Sequence, residues 1–229
     1  EHVFKNLSKN LKIGFDYKNT SYFFYDLAIN NNLQPSNLQN PCLIPKATKN
    51  ETELDGSRKA HLRDGVSITK FLYWLKNHNS VEEENEISVA NKLLSFRESN
   101  ELFHSVSFDS ISAIGKNAAL PHYRANKNNP VSLKNNSIYL SDSGGQYYDG
   151  TTDITRTIIL GKPNKEQIDR FTRVLKGHIN LSAHIFNKGT KGTDIDYLAR
   201  ESLQEINCDY DHGTGHGIGS FLSVHEAPQ

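Results

Sequence analysis

Two runs rich in alternating apolar and β-branched residues, 138–142 (Ile-Tyr-Leu-Ser-Asp) and 153–160 (Asp-Ile-Thr-Arg-Thr-Ile-Ile-Leu), flank an Asp149-Gly150 pair. No other stretch constrains the fold as strongly. An Asp-Gly pair supplies the positive φ angles of a tight two-residue turn, so the runs read as the arms of a β-hairpin. If the turn is 149–150, position 142 faces 157. Side chains 138, 140 and 142 share one face, and Asp153 shares the face of 157. Both carboxylates then point to the same side, yet 153 and 157 lie about 13 Å apart at ~3.3 Å per residue, too far to share an ion. Gly144-Gly145 is therefore expected to bulge the first arm and bring Asp142 back toward Asp153. Carboxylates held face to face repel unless a cation or proton lies between them. Taken alone, the hairpin is equally compatible with two solvated turn aspartates.

Around this hairpin the periodicity predicts an α+β chain. Residues 11–16 alternate as a short strand, 19–32 carry helix-like spacing, and 41–45, bracketed by prolines, read as strand-like. Residues 1–40 hold too few elements for a domain and are expected to close a preceding α/β domain. Residues 41–49 are expected to link it to a second domain, 50–229. There the spacing predicts a long helix from Asn50 to near Asn79, its core stripe formed by Leu54, Ala60, Leu62, Val66, Phe71, Leu72, Trp74 and Leu75. A second helix is predicted over 88–100 and short strands over 106–114 and 118–122. A third helix starts at Pro163-Asn164-Lys165-Glu166 with apolar positions that include Ile168, Phe171, Val174, Leu175, Ile179 and Ala183. A last helix opens at Thr193-Asp194 after a 189–192 turn.

Composition removes several classes of partner. Lys+Arg and Asp+Glu each number 26, so no net field draws the chain to nucleic acid or anionic lipid. No apolar run approaches the ~20 residues of a membrane span. The two cysteines, Cys42 and Cys208, are far apart and outside any Cys-x-x-Cys pattern, which favours a reducing compartment over a disulfide scaffold. Methionine is absent, and the chain is expected to be a piece of a longer polypeptide.

The run His212-Gly-Thr-Gly-His216-Gly-Ile-Gly, followed by His225-Glu226, is the strongest chemical signal. Glycine at every second position lets backbone pass close to an ion or substrate, at an entropic cost that a plain surface loop need not bear. Of the other histidines, His61, His78, His104, His178 and His184 fall on predicted helices or their ends without an evident partner and are read as ordinary structural residues.

The segments Asp142-Ser-Gly-Gly-Gln-Tyr-Tyr-Asp-Gly-Thr-Thr-Asp153-Ile-Thr-Arg-Thr and His212-Gly-Thr-Gly-His216-Gly-Ile-Gly-Ser-Phe-Leu-Ser-Val-His225-Glu-Ala-Pro resemble the Xaa-Pro aminopeptidases (aminopeptidase P), in particular their long three-domain cytosolic form. The stretches Pro45-Lys-Ala-Thr-Lys-Asn, Gly56-Ser-Arg-Lys-Ala-His61 and 105–123, ending in Pro121-His122-Tyr123, share the similarity. The resemblance implies a pita-bread fold, two divalent ions (most often Mn2+), and removal of an N-terminal residue when proline follows it. It also implies a cytoplasmic homodimer acting on peptides, with neither nucleic acid nor membrane as partner. By the same resemblance Asp142 chelates one ion, Asp153 bridges both, and His216 binds the second. His122 and His225 hold peptide and assist proton movement. His212 lines the proline side of the cleft, and His216 also borders the peptide. The general chemistry agrees: oxygen-rich donor sets with few imidazoles suit manganese-like ions, which generate a nucleophile from water near neutral pH.

The same family supplies two further glutamate ligands beyond the second histidine motif, and the 229 residues end before them. Glu226 falls on the Val-His-Glu-Ala-Pro loop and does not replace them. The full-length protein is expected to be active and these residues alone inactive. An Xaa-Pro dipeptidase is the nearest alternative, because it shares the Asp, Asp, His pattern; methionine aminopeptidase is more distant in its flanking sequence. A non-catalytic pita-bread scaffold would have lost ligand positions that survive here.

Overall fold

The computed structural model describes residues 1–221 and 224–226. Leu222, Ser223 and 227–229, which belong to the second histidine motif, lie outside the described residues. The chain divides into two units, Glu1–Lys49 and the remainder from Asn50.

The first unit pairs β1 (Lys12–Phe15) in parallel with β2 (Gln34–Asn37), joined by α2 (Tyr22–Asn30) and flanked by the short helices α1 (His2–Lys5) and α3 (Leu43–Ala47). Ser21 starts α2 by accepting the Phe23 amide on its hydroxyl. The predicted strand at 41–45 is instead the start of α3. Asn40 Oδ1 accepts the Cys42 amide at 3.0 Å, and Pro45 lies in the first helical turn, where its missing N–H has no intrahelical partner to lose.

The second unit is built on α4 (Glu51–Lys76) and α5 (Glu86–Glu98). Each is opened by a reciprocal asparagine cap: Asn50 with Glu53, and Asn85 with Ser88. The buried face of α4 is Gly56, Ala60, Asp64, Ser67, Ile68, Phe71 and Leu75. Leu62 and Val66, predicted for the core stripe, are 75% and 48% exposed, because the inward stripe passes through polar Asp64 and Ser67 instead. The core gathers Ile68, Phe71 and Leu75 of α4, Val89 and Leu93 of α5, and Ile114, Leu133, Tyr139 and Leu160.

Against these helices lie two three-stranded antiparallel sheets. One is ordered β4 (Ile111–Ile114), β5 (Ser137–Ser143), β8 (Ile154–Leu160). The other is β3 (Phe103–Val106), β6 (Gly145–Tyr147), β7 (Gly150–Thr151). The single strand predicted over 106–114 is thus divided between two sheets. Residues predicted as a strand at 118–122 instead begin within a 3-10 turn, Gly115–Ala119, and form no strand. The chain closes with α6 (Lys165–Ala183), capped by Asn164 and Gln167, then α7 (Gly192–Ile195) and α8 (Tyr197–Gln204). No helix among the described residues is long and apolar enough to cross a membrane.

The hairpin forms in a different register from the predicted one. Its two-residue turn is Tyr148-Asp149, since Tyr147 pairs with Gly150, and Asp142 therefore faces Thr155 rather than Thr157. Asp149 is held there by Arg63 of α4, which donates two hydrogen bonds to its carboxylate at 3.0 and 2.8 Å. Gly56 lies beneath the same turn, and any Cβ on it would run into the Asp149 carbonyl. The pairs on either side of Gly144 keep one register, so no bulge brings the two aspartates together. A turn earlier by one residue moves every partner by two, which achieves the same result.

Candidate metal and peptide site

Asp142, near the end of β5, and Asp153, between β7 and β8, are now diagonal neighbours, a spacing of roughly 7–8 Å between backbones in antiparallel pairs. Oδ1 of Asp142 is buried and has no hydrogen-bond partner among the described residues. Burial raises the Asp142 pKa. Thr155, donating to the carboxylate, opposes that shift, the Asp153 charge adds to it, and His122 and His216 oppose it. An unpartnered buried carboxylate oxygen beside a second carboxylate is a position that a cation would satisfy.

Asp153 owes its position to Thr152, which is held on three sides. The Thr152 hydroxyl donates to Asp64 Oδ2 at 2.6 Å and accepts the Gly145 amide at 2.8 Å. Its own amide donates to the Gly145 carbonyl at 2.9 Å, and its carbonyl accepts the Ser107 hydroxyl at 2.8 Å. Gly144 has to be glycine here, because a Cβ would run into that carbonyl and that hydroxyl. Asp64 is itself paired with Arg97 at 2.6 Å, both side chains being no more than 1% exposed, and it also accepts Tyr147 Oη at 3.0 Å. Sequence periodicity missed this network, because polar residues on an amphipathic helix are read as facing water.

His216 reaches the carboxylates from the glycine-rich segment, with Nε2 3.3 Å from Asp153 Oδ2. Its Nδ1 lies 2.8 Å from the Gly217 carbonyl, which can only accept, so Nδ1 carries a proton, and Nε2 is the ring nitrogen that faces the aspartate. A carbonyl holding one ring nitrogen protonated is how proteins orient a ligating imidazole. His225 packs edge-on against His216 at 4.2 Å, and His122 lies 6.4 Å from His225. A two-bond bridge between Gly217 and Glu226, 3.0 and 2.9 Å, fixes the backbone next to His216 and His225. His122 has φ +58°, a left-handed conformation that costs free energy for a non-glycine residue and concentrates at functional positions.

His212 is placed differently. Its ring stacks on Tyr210 at 4.6 Å and its carbonyl accepts from Arg200, whose guanidinium lies 4.0 Å from the Tyr210 ring centre. Three histidines predicted to lack partners have them, and one is His61, whose Nδ1 lies 2.9 Å from the Ser57 carbonyl. His104 is on β3 rather than on a helix and touches the rings of Tyr148 and Phe221, while His78 lies 3.3 Å from Glu84. An open apolar cleft of about 1250 Å³ between β8 and α6 contains none of Asp142, Asp153, His122, His216 or His225. Among the described residues, no three His, Cys, Asp or Glu side chains are gathered closely enough to complete an ion site. Two carboxylates and one imidazole nevertheless form an O,O,N donor set that fits part of one.

The profile of Metallopeptidase family M24 matches residues 55–229. The chain is 42% identical to Xaa-Pro aminopeptidase 1 of Dictyostelium discoideum and 43% identical to a probable Xaa-Pro aminopeptidase P of Laccaria bicolor. In both cases all of this chain aligns with 36% of the relative. The chain therefore spans about a third of the length of these curated relatives. Among solved structures, an X-prolyl aminopeptidase from Caenorhabditis elegans, described as a cytosolic enzyme with a di-nuclear active site, superposes with TM-score 0.80 and 40% identity, over 89% of this chain and 33% of that one. A prolidase from Pyrococcus furiosus shares the fold at TM-score 0.81 and 23% identity, over 99% of this chain and 64% of that one.

Proposed function

Because the chain belongs to metallopeptidase family M24, we propose that the protein containing it removes the N-terminal residue from peptides whose second residue is proline. The observation that carries this reading is the convergence of Asp142, with its unpartnered buried oxygen, Asp153, His216 and His225 on one side of the hairpin. Proline-directed aminopeptidases among the relatives support the substrate class.

Asp142, Asp153 and His216 would hold divalent ions, and we infer a pair of them, manganese being the species we favour for this donor set. When bound, such ions acidify water and polarise a peptide carbonyl. Asp142 and Asp153 would supply the negative charge that retains them, and His216 would ligate through Nε2. His122 and His225 border the same space and are suited to hold the peptide and carry a proton to the leaving proline nitrogen. His212, flat against Tyr210, offers a ring surface to the proline ring, whose tertiary amide lacks an N–H to be recognised. Three side chains do not complete a two-ion site, so turnover requires ligands beyond these three, and the 229 residues alone should not cleave. A cytoplasmic homodimer that binds neither nucleic acid nor membrane completes the proposal.

The test is hydrolysis by the full-length protein, stripped of metal and then supplied with Mn2+. The expected result is cleavage of X-Pro-Y tripeptides, with X-Ala-Y peptides and X-Pro dipeptides turned over far more slowly. Preference for the dipeptide would reassign the protein to the dipeptidases, and no cleavage of either would overturn the reading.

A further inference from the structure

Glu86, the first residue of α5, is fully buried, and no lysine, arginine or histidine among the described residues forms an ion pair with it. A buried carboxylate without a cation is costly and persists only where donors surround it. All the side-chain donors it has, and one backbone amide, come from a single stretch of chain. Oε1 accepts the Ile114 amide at 2.9 Å and Asn117 Nδ2 at 3.0 Å, and Oε2 accepts the Tyr123 hydroxyl at 2.8 Å. Asn117 Nδ2 also donates to Tyr123 Oη at 2.9 Å, closing the cluster. Burial, reinforced by Glu86, pushes the Tyr123 phenol up to about 12, so it stays protonated and able to donate.

These three anchors bracket residues 114–123. Between them the chain makes the 3-10 turn Gly115–Ala119, passes Pro121, and reaches His122 at φ +58°. A left-handed histidine on an exposed stretch does not hold that conformation by itself, since the strain must be over-determined by its surroundings. The Tyr123 amide closes a turn over Pro121-His122 on the Leu120 carbonyl at 3.2 Å, and the bond from the Tyr123 hydroxyl to Glu86 is the side-chain constraint that ties this turn to the buried face of α5. We infer that Glu86 and Tyr123 are positioning residues that set His122 against His225, acting on the peptide only through His122.

This inference rests on the reading of His122 as a peptide-binding and proton-carrying group. Its test is a double-mutant cycle in the full-length protein with Tyr123→Phe and His122→Ala, measuring kcat/KM on an X-Pro-Y tripeptide alongside bound-metal content. Tyr123→Phe removes one hydroxyl while keeping the ring. It should lower kcat/KM about ten- to a hundredfold, the scale of a sub-ångström to ångström misplacement, with metal content unchanged. In the His122→Ala background the same substitution should have almost no further effect. Glu86→Gln keeps one acceptor oxygen and should fall between wild type and Tyr123→Phe. Equal losses from Tyr123→Phe in both backgrounds, or a loss that tracks metal content, would overturn the inference. If the wild type does not cleave proline peptides at all, the functional reading fails separately. A crystal structure of Tyr123→Phe then decides the positioning: a displaced His122 ring supports it, and an unmoved ring, still 6.4 Å from His225, overturns it.

Discussion

Replacing Arg97 with methionine should be among the most damaging changes available far from the histidines. Methionine keeps most of the length of the side chain but removes both hydrogen bonds to Asp64, at 2.6 and 3.1 Å. The Asp64 carboxylate would lose its cation in a space where neither partner was more than 1% exposed, keeping only Tyr147 Oη and Thr152 Oγ1 as side-chain donors among the described residues. Removing one partner of a fully buried pair costs about 3–5 kcal/mol, because the remaining charge is left uncompensated. For a domain of this size that corresponds to roughly 6–20 °C in Tm. The assay is thermal unfolding of the full-length protein bearing Arg97→Met, Asp64→Asn or both. The double variant should be more stable than the sum of the two losses predicts, by about 2 kcal/mol or more. A loss under about 1 kcal/mol for Arg97→Met, or strict additivity, would refute the idea that this pair anchors the hairpin.

Three further outcomes follow from the geometry around the hairpin. Gly144→Ala forces a Cβ against the Thr152 carbonyl and should cost about 3 kcal/mol, the upper part of the overpacking range, read as a drop in Tm. The Asp142 carboxyl is raised by burial in the ion-free protein, so its folded pKa exceeds its unfolded value. Stability from this group is then complete below about pH 4 and declines as pH rises through the folded pKa. Asp142→Asn should therefore raise the neutral-pH Tm of the chelator-treated protein while lowering Mn2+ retention, both measurable by melting with and without Mn2+. Asp149 behaves oppositely: the Arg63 hydrogen bonds hold its carboxyl below the ordinary 3.8. Its contribution is present above that value and lost as pH falls through the folded pKa, so Arg63→Met should flatten the acid limb of a Tm-against-pH curve.

Much of this arrangement is legible from residue pattern alone. The two arms of the hairpin, the starts of α4 near Asn50 and of α6 at 163–166, and the glycine-spaced histidines follow from local chemistry, and the structure puts His216 beside Asp153. What is not legible depends on contacts distant in sequence. The turn at Tyr148-Asp149 rather than Asp149-Gly150 is set by Arg63, 86 residues away, and that one-residue choice alters which side chains face Asp142. Asp64 and Glu86 are the clearest omissions. Helical periodicity assigns charged residues to water, and only the folded chain brings Arg97, Thr152, Tyr123 and Asn117 to meet them. Pro45 shows the converse error, since proline signals a break yet is harmless in the first turn of α3.

The most direct test of the central claim is the metal content of the full-length protein with and without Asp153. The wild type should carry two divalent ions per chain and cleave X-Pro-Y peptides. Asp153→Ala should lose both ion occupancy and turnover together while keeping a Tm close to that of the metal-free wild type. Unchanged ion content in Asp153→Ala, or full turnover without bound metal, would contradict the account.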